Sequence, residues 1–332
     1  MFRHIIPAIL LSCSISANAQ FKNDNVLFKT VDPSELCEEL GRNKGYILLD
    51  VRSRGEHLDT SASLGYNLGH LKGAINIDIR ELGNRLSELR AHSDKPVFVY
   101  CSYSQRSRRA SKIFSDSGFN KVFNINGGMT ALHYTGVIKK PCMQSLFESI
   151  NSYSLISAGD LCEKWNAHKT PFILDVRSDS AFRHISLNAK ENAYGFIKGS
   201  VNIPLEELNS RLLAIPKEKE IIVTDIYGEG SAHASVILKK NGYKKVSVLI
   251  EGIDRVLHTD EQLLKCKKSF YVSPVIYQLI NVTEFGRFAK LNKDYLLLDI
   301  RSSDEYANKH KDSWRNVGNL MNAVNIPFTE LD

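Results

Sequence analysis

Cys101 and Arg106, separated by four residues, lie in the run Val97-Phe98-Val99-Tyr100-Cys101-Ser102-Tyr103-Ser104-Gln105-Arg106-Ser107. A thiol and a guanidinium at this spacing suit attack by sulfur beside a bound anion. Val97 to Tyr100 is an apolar run expected to form a short buried strand. It ends at the thiol. A polar loop follows, Ser102 to Arg106, and then a helical pattern with Ser107 as its cap and Ile113 and Phe114 as its first strong apolar residues. The thiol is therefore expected at the carboxyl end of a strand, where open α/β sheets bind ligands. Loop amides and a helix N-terminus favour negative charge there, and so the thiolate, the nucleophilic form. Arg106, Arg108, Arg109 and Lys112 add positive charge nearby. A lone cysteine at a strand end would read as a small buried hydrophobe. The loop, the arginine and the surrounding repeat argue against that here.

The elements that must position this loop recur. Leu-Leu-Asp-Val-Arg-Ser at 48–53 returns as Ile-Leu-Asp-Val-Arg-Ser at 173–178 and as Leu-Leu-Asp-Ile-Arg-Ser at 297–302. The aspartates, Asp50, Asp175 and Asp299, are offset by near-equal steps. Each is followed by a related segment: Gly69 to Ile77, Gly195 to Pro204, and Gly318 to Pro327. Steps of this length are too long for a solenoid and indicate tandem domains. The first unit reads as a helix from Pro33 to Leu40 capped by Asp32, strands at 47–51 and 74–77, and a helix bearing Leu82, Leu86 and Leu89. The Cys101 strand, loop and helix come next, then a strand at 121–125 and Gly127-Gly128 before a last short helix. Alternating strands and helices predict an α/β fold, a doubly wound parallel sheet repeated in tandem.

Cys-x4-Arg followed by a small residue, Ser107, resembles the active loop of the rhodanese family of sulfurtransferases, as do the Asp-Val-Arg segment and the Gly-Gly before the last helix. The resemblance covers residues 30–135, most of 155–260, and the first half of a unit from about 278 to 332. It implies a rhodanese-like fold in which Cys101 takes the outer sulfur of thiosulfate or a persulfide and passes it to a thiol or cyanide. Amides of the loop Ser102, Tyr103, Ser104, Gln105, Arg106 and Ser107 would hold the persulfide, and Arg106 would orient a small anionic donor. Ser104 stands where many relatives have glycine. Related phosphatases carry Cys-x5-Arg, a spacing that lands here on Ser107, which disfavours a phosphatase or arsenate reductase. A non-catalytic sulfur carrier or scaffold is the rival outside enzymes, since two of the three units lack a complete site. No cofactor is expected.

In the second unit Asp225 aligns with Cys101, and Gly230 with Arg106. A carboxylate cannot carry a sulfane sulfur, so this unit is expected to be inactive. Its Gly228-Glu229-Gly230 reads as a plain turn before it reads as a binding loop. The third unit stops before any nucleophile strand, and a protein partner for it is one expectation. Asp50, Arg52 and Glu56 recur as Asp299, Arg301 and Glu305 without an active loop, while the second unit has Asp175, Arg177 and Ala181. That favours structural salt bridges and turn capping over catalysis. His70 has Phe196 and Asn319 as equivalents and reads as packing or surface. No Cys/His set has metal-ligand spacing, and no glycine-rich nucleotide loop follows a strand.

The chain has 332 residues and a formal charge of +6, which is mild for its length. No basic stripe with interleaved aromatics points to nucleic acid. Arg3, the apolar run Ile5 to Leu11 and Ala17-Asn18-Ala19 predict an export leader at 1–19, too short to span a bilayer. Lipidation at Cys13 is the competing reading. The expected layout is a leader at 1–19, an active unit at 20–145, an inactive one at 146–270 and a half unit at 271–332, exported, and periplasmic in a Gram-negative source. Cys37 and Cys162 each precede their unit's aspartate by the same distance, and Cys142 and Cys266 each follow its Gly-Gly or Glu-Gly by the same distance. The third unit has Gly286 at the first position and lacks the second. Recurrence as a set predicts Cys37–Cys142 and Cys162–Cys266 bridges, which leave Cys101 as the free thiol. The bland alternative is four small buried hydrophobes, and four cysteines allow three pairings.

Overall fold

The computed structural model describes residues 27–169, 171–274, 277, 280, 282–311, 315 and 318–331. The expected leader, with Cys13, lies outside the described residues. Two five-stranded parallel sheets share one strand order. In the first the order is Lys29–Val31, Val122–Ile125, Val97–Tyr100, Ile47–Asp50, Ile75–Asn76. In the second it is Ser154–Ile156, Val246–Leu249, Ile221–Thr224, Phe172–Asp175, Val201–Asn202. The thiol strand is central, and all four of its residues are buried. Its side chains alternate between two cores. Phe98 and Tyr100 pack with Leu36, Leu132 and Met129 on one face, and Val97 and Val99 with Ala110 and Phe114 on the other. Helices thus cover both faces, as a run of four consecutive apolar residues requires.

The third segment keeps the outer pair of the same sheet: Leu298–Asp299 lies parallel to Val324–Asn325. In all three units the aspartate ending the strand faces an asparagine, as Asp50↔Asn76, Asp175↔Asn202 and Asp299↔Asn325. The reason for the Asp-x-Arg repeat is visible. Arg52 donates through Nε and Nη2 to Asp50 and through Nη2 to Gly69 O at 2.7 Å, with both charged side chains fully buried. Arg177 and Arg301 repeat this on Asp175 and Asp299, reaching Gly195 O and Gly318 O. The motif closes the turn after the strand, which is a structural task.

Cys37 is bonded to Cys142 and Cys162 to Cys266, with Cα separations of 6.0 and 5.7 Å. Each bridge ties a unit's first helix to the segment beyond its last. Cys101 is the free cysteine among the described residues.

Several local expectations shift. The helix after the thiol loop is Gln105–Asp116, with Ser104 in the capping position, so Ser107 lies inside its first turn. The backbone turns so tightly at Ser104 that the next residue is already helical. The first helix opens as a 3-10 turn, Pro33–Glu35, before Leu36–Arg42. Asp32 holds the cap position, but its carboxylate makes no cap bond and accepts from Asn126 Nδ2 at 2.7 Å instead. The Leu82, Leu86, Leu89 segment is one α-turn, Leu82–Arg85, continued as 3-10 helix through His92.

Candidate active site

Cys101 ends the central strand and is 1% exposed. Its Sγ accepts the backbone N–H of Ser104 at 3.1 Å and donates to Ser107 Oγ at 3.5 Å. Ser107 Oγ in turn donates to Ser104 O at 3.0 Å. Ser104 is held at φ +107°, a conformation that favours glycine. Its hydroxyl bonds Gly127 N and Asn126 Oδ1. The next helix, Gly128–Tyr134, seats its first turn on the loop, with Met129 N on Cys101 O at 2.9 Å and Thr130 N on Ser102 O at 3.1 Å. A Cβ on Gly128 would collide with Cys101 O, which explains the Gly-Gly of the sequence.

Arg106 is not the unpartnered anion clamp that spacing alone suggests. Nη1 and Nη2 donate to the two carboxylate oxygens of Glu56 at 2.7 and 2.6 Å, and Nη2 also reaches Ser102 Oγ at 3.0 Å. Ser102 Oγ donates to Glu56 Oε1 at 3.0 Å. The Glu56 bonds raise the Arg106 pKa further above its already high value. Burial pushes the Glu56 carboxyl up, but Arg106 and the Ser53 cap outweigh it and hold it below the usual range. Glu56 also completes a capping box with Ser53. It thus joins the Asp-Val-Arg turn to the thiol loop. Sequence reasoning gave Glu56 structural salt bridges and turn capping but did not identify Arg106 as its partner. A signal was present: the second unit replaces both partners, Glu56 by Ala181 and Arg106 by Gly230.

Cys101 opens into a pocket of about 540 Å³ lined by Glu56, Arg106, Tyr66, Tyr103, Gln105 and Arg80 among others. Tyr66 and Tyr103 meet edge to face, centroids 6.2 Å apart, and both are exposed. His70 is not among the lining residues; it packs on His57, centroids 4.3 Å apart, and burial lowers its pKa. Of the loop residues singled out in the sequence, Cys101, Tyr103, Gln105 and Arg106 face the pocket, while Ser102, Ser104 and Ser107 support the loop from within. One wall depends on the second unit. Glu229 accepts from Leu64 N at 3.0 Å and Gly65 N at 2.7 Å, just before Tyr66.

The second loop has the same frame with a carboxylate in place of the thiol. Asp225 accepts from Gly228 N at 2.6 Å, Gly230 N at 2.7 Å and Ser231 Oγ at 2.8 Å. Burial raises its pKa, against those donors. Gly228 has φ +101°, matching Ser104. Among the described residues no His, Cys, Asp and Glu group is arranged to hold a metal ion, and no helix is long and apolar enough to cross a membrane.

A tight loop at the end of a central parallel strand, carrying a thiol in the first unit and a carboxylate in its tandem twin, defines a class of α/β domain. The family model for the rhodanese-like domain matches residues 32–134 and 157–258. These matches cover more than half of the chain, which belongs to the rhodanese-like domain family. An uncharacterized Bacillus subtilis protein, YqhL, is 37% identical over 128 residues, covering 39% of this chain and 90% of that protein. A tRNA uridine(34) hydroxylase of Salmonella newport is 29% identical over 105 residues, 30% of this chain and 26% of the hydroxylase. The chain therefore spans about a quarter of that relative. A thiosulfate sulfurtransferase structure from Pseudomonas aeruginosa covers 92% of this chain and 58% of its own at 16% identity, with a TM-score of 0.27.

Proposed function

We propose that the first domain is a sulfurtransferase in which Cys101 carries a sulfane sulfur from thiosulfate or a persulfide to a thiol or cyanide. The Cys101 thiolate attacks the outer sulfur, the donor's S–S bond breaks, and the donor leaves as sulfite or a thiolate. An acceptor then attacks the outer sulfur of the Cys101 persulfide and restores the thiolate. The observation that carries this reading is the second loop. Counted in bonds from Cβ, an Asp225 carboxylate oxygen stands where the outer sulfur of a Cys101 persulfide would stand. The two carboxylate oxygens share two amides and a hydroxyl, with Gly228 N and Ser231 Oγ on Oδ1 and Gly230 N on Oδ2. A loop of the same frame is thus suited to an anion at that position.

In this reading residues 20–145 form the active domain, 146–270 an inactive twin, and 271–332 the first half of a third domain open to a protein partner. Residues 1–19 form an export leader. The two disulfides support an oxidising, exported setting, periplasmic in a Gram-negative source. The test is thiocyanate formation from thiosulfate and cyanide, together with intact mass after donor treatment. The native chain should gain the mass of one sulfur. Cys101→Ser should abolish both signals and Asp225→Ala should retain them. Activity surviving in Cys101→Ser overturns the assignment.

A further inference from the structure

We infer that Asp32 and Asn126 are positioning residues for Cys101: through the Ser104 hydroxyl they hold the loop amide that points at the sulfur. This rests on the sulfurtransferase reading above and deepens it. The contacts form one chain. The Asp32 carboxylate accepts from Asn126 Nδ2 at 2.7 Å. An ionised carboxylate only accepts, so it fixes the Asn126 amide with Oδ1 turned the other way. Oδ1 accepts the Ser104 hydroxyl at 3.3 Å. The Ser104 oxygen in turn accepts Gly127 N, the residue before the last helix of the domain. Ser104 N donates to Cys101 Sγ at 3.1 Å. Neither Asp32 nor Asn126 lines the thiol pocket, so their effect on the sulfur runs through the loop.

The loop needs such a hold at Ser104. Its φ of +107° is a conformation that glycine takes freely and serine does not. The angle φ sets the direction of a residue's N–H against that of its own side chain. With the hydroxyl tied to Asn126 and Gly127, the N–H cannot leave Sγ without breaking those bonds. The second domain supplies the comparison. Its residue at this place is Gly228, at φ +101°, and the chain of contacts is gone with the serine. Ile250 stands where Asn126 stands, with its N on Ile156 O at 2.9 Å as Asn126 N is on Val31 O at 2.8 Å. Ile250 is buried and apolar. Ser157 stands where Asp32 stands, and spends its hydroxyl on capping its own helix through Asp160 N at 3.1 Å. Asp32 makes no such cap bond and turns to Asn126 instead. The hold is thus present where the loop has serine and absent where it has glycine.

The test is the pH profile of iodoacetamide alkylation, read on the Cys101 peptide of the full chain, beside kcat and KM for thiosulfate with cyanide. An amide on the sulfur favours the thiolate, by about tenfold for a hydrogen bond to a charged group. Asn126→Ala should therefore slow alkylation about tenfold below neutral pH and leave it unchanged at alkaline pH, where every thiol is ionised. Its kcat should fall about tenfold and its KM change by less than about twofold. Asp32→Asn keeps an oxygen for Asn126 Nδ2 and should stay within about twofold of the native rate. Asp32→Ala should move in the direction of Asn126→Ala. Both positions are exposed, so the variants should fold, which thermal melting checks. In a Ser104→Gly background, which lacks the hydroxyl, Asn126→Ala should change neither reading. An unmoved alkylation profile in folded Asn126→Ala, or the same shift in the Ser104→Gly background, overturns the proposal. If the profile shifts as expected but Cys101 takes up no sulfur from thiosulfate or a persulfide, the sulfurtransferase reading falls and the positioning chain stands.

Discussion

Ser104 is the residue at which the shape of the thiol loop can be weighed. Its φ of +107° aims its own N–H at Cys101 Sγ and starts the following helix. A non-glycine residue held there stores about 1–3 kcal/mol of backbone strain. The hydroxyl's bonds to Gly127 N and Asn126 return about 1 kcal/mol. Two substitutions separate these contributions. Ser104→Ala loses the hydroxyl and keeps the strain, so it should cost about 1 kcal/mol. Ser104→Gly loses the same hydroxyl but releases the strain, at an unfolded-state entropy cost of about 0.4–1 kcal/mol. Glycine should therefore be more stable than alanine by roughly 1.3 kcal/mol, the middle of the strain range less the middle of the entropy range. At about 4 °C per kcal/mol for a domain of this size, the difference is readable in the melting of the first domain. The twin loop already has glycine here, Gly228 at φ +101°. If Ser104→Ala proves as stable as Ser104→Gly, the loop does not hold the conformation described and the aim of the Ser104 amide is wrong.

Further outcomes follow from three other sets of contacts. The Asp50–Arg52 pair is fully buried, so Asp50→Asn should cost about 3–5 kcal/mol in chemical denaturation by stranding the arginine. Burial raises the Asp50 pKa, but Arg52 and His57 outweigh it and hold it at about 2, below the ordinary 3.8. The stabilisation is therefore complete above about pH 4 and is lost as pH falls towards 2, by roughly 2 kcal/mol in a pH series of denaturation midpoints. The disulfides close separations of 105 and 104 residues, so reducing either should remove up to about 4–5 kcal/mol from its own domain. Non-reducing peptide mapping should find both pairs within repeats and none between them. Glu229→Ala unpins Leu64 and Gly65 beneath Tyr66, and with charge-assisted bonds worth roughly 1.5 kcal/mol or more, KM for the donor should rise about tenfold and kcat far less. An unchanged KM would mean that the second domain does not shape the pocket.

What could be read in the sequence and what could not divide along chain distance. The parallel sheet was legible because Val97 to Tyr100 and Ile221 to Val223 are apolar at every position and the alternation of strand and helix repeats; the strand order was not. The disulfide pairs were legible because their positions recur as a set. The start of the loop helix was not. Ser104 and Ser107 are equally plausible caps by composition, and only the left-handed turn at Ser104 decides between them. Arg106 was recognised as part of the loop, but its partner Glu56 lies 50 residues away on another turn. Glu229 lies 165 residues from Leu64, on the far side of a domain boundary. Spacing arguments reach residues on one element, or on elements that a repeat places in register. They do not reach a carboxylate contributed by a neighbouring turn or a neighbouring domain.

The two domains together give the loop a control that a single domain lacks. They share the strand order, the Asp-x-Arg closure and the left-handed residue before the helix, and they differ at the nucleophile and at the Glu56–Arg106 pair. If the pair served only to hold the loop's shape, the second loop should be distorted without it. It is not: Gly228 N takes the place of Ser104 N, and Ser231 Oγ that of Ser107 Oγ, each bonded to the residue at the nucleophile position. The cradle therefore forms from backbone and serine alone. The work left for Glu56 and Arg106 lies at the pocket wall, where a donor arrives, and that is where substitutions in this pair should be read.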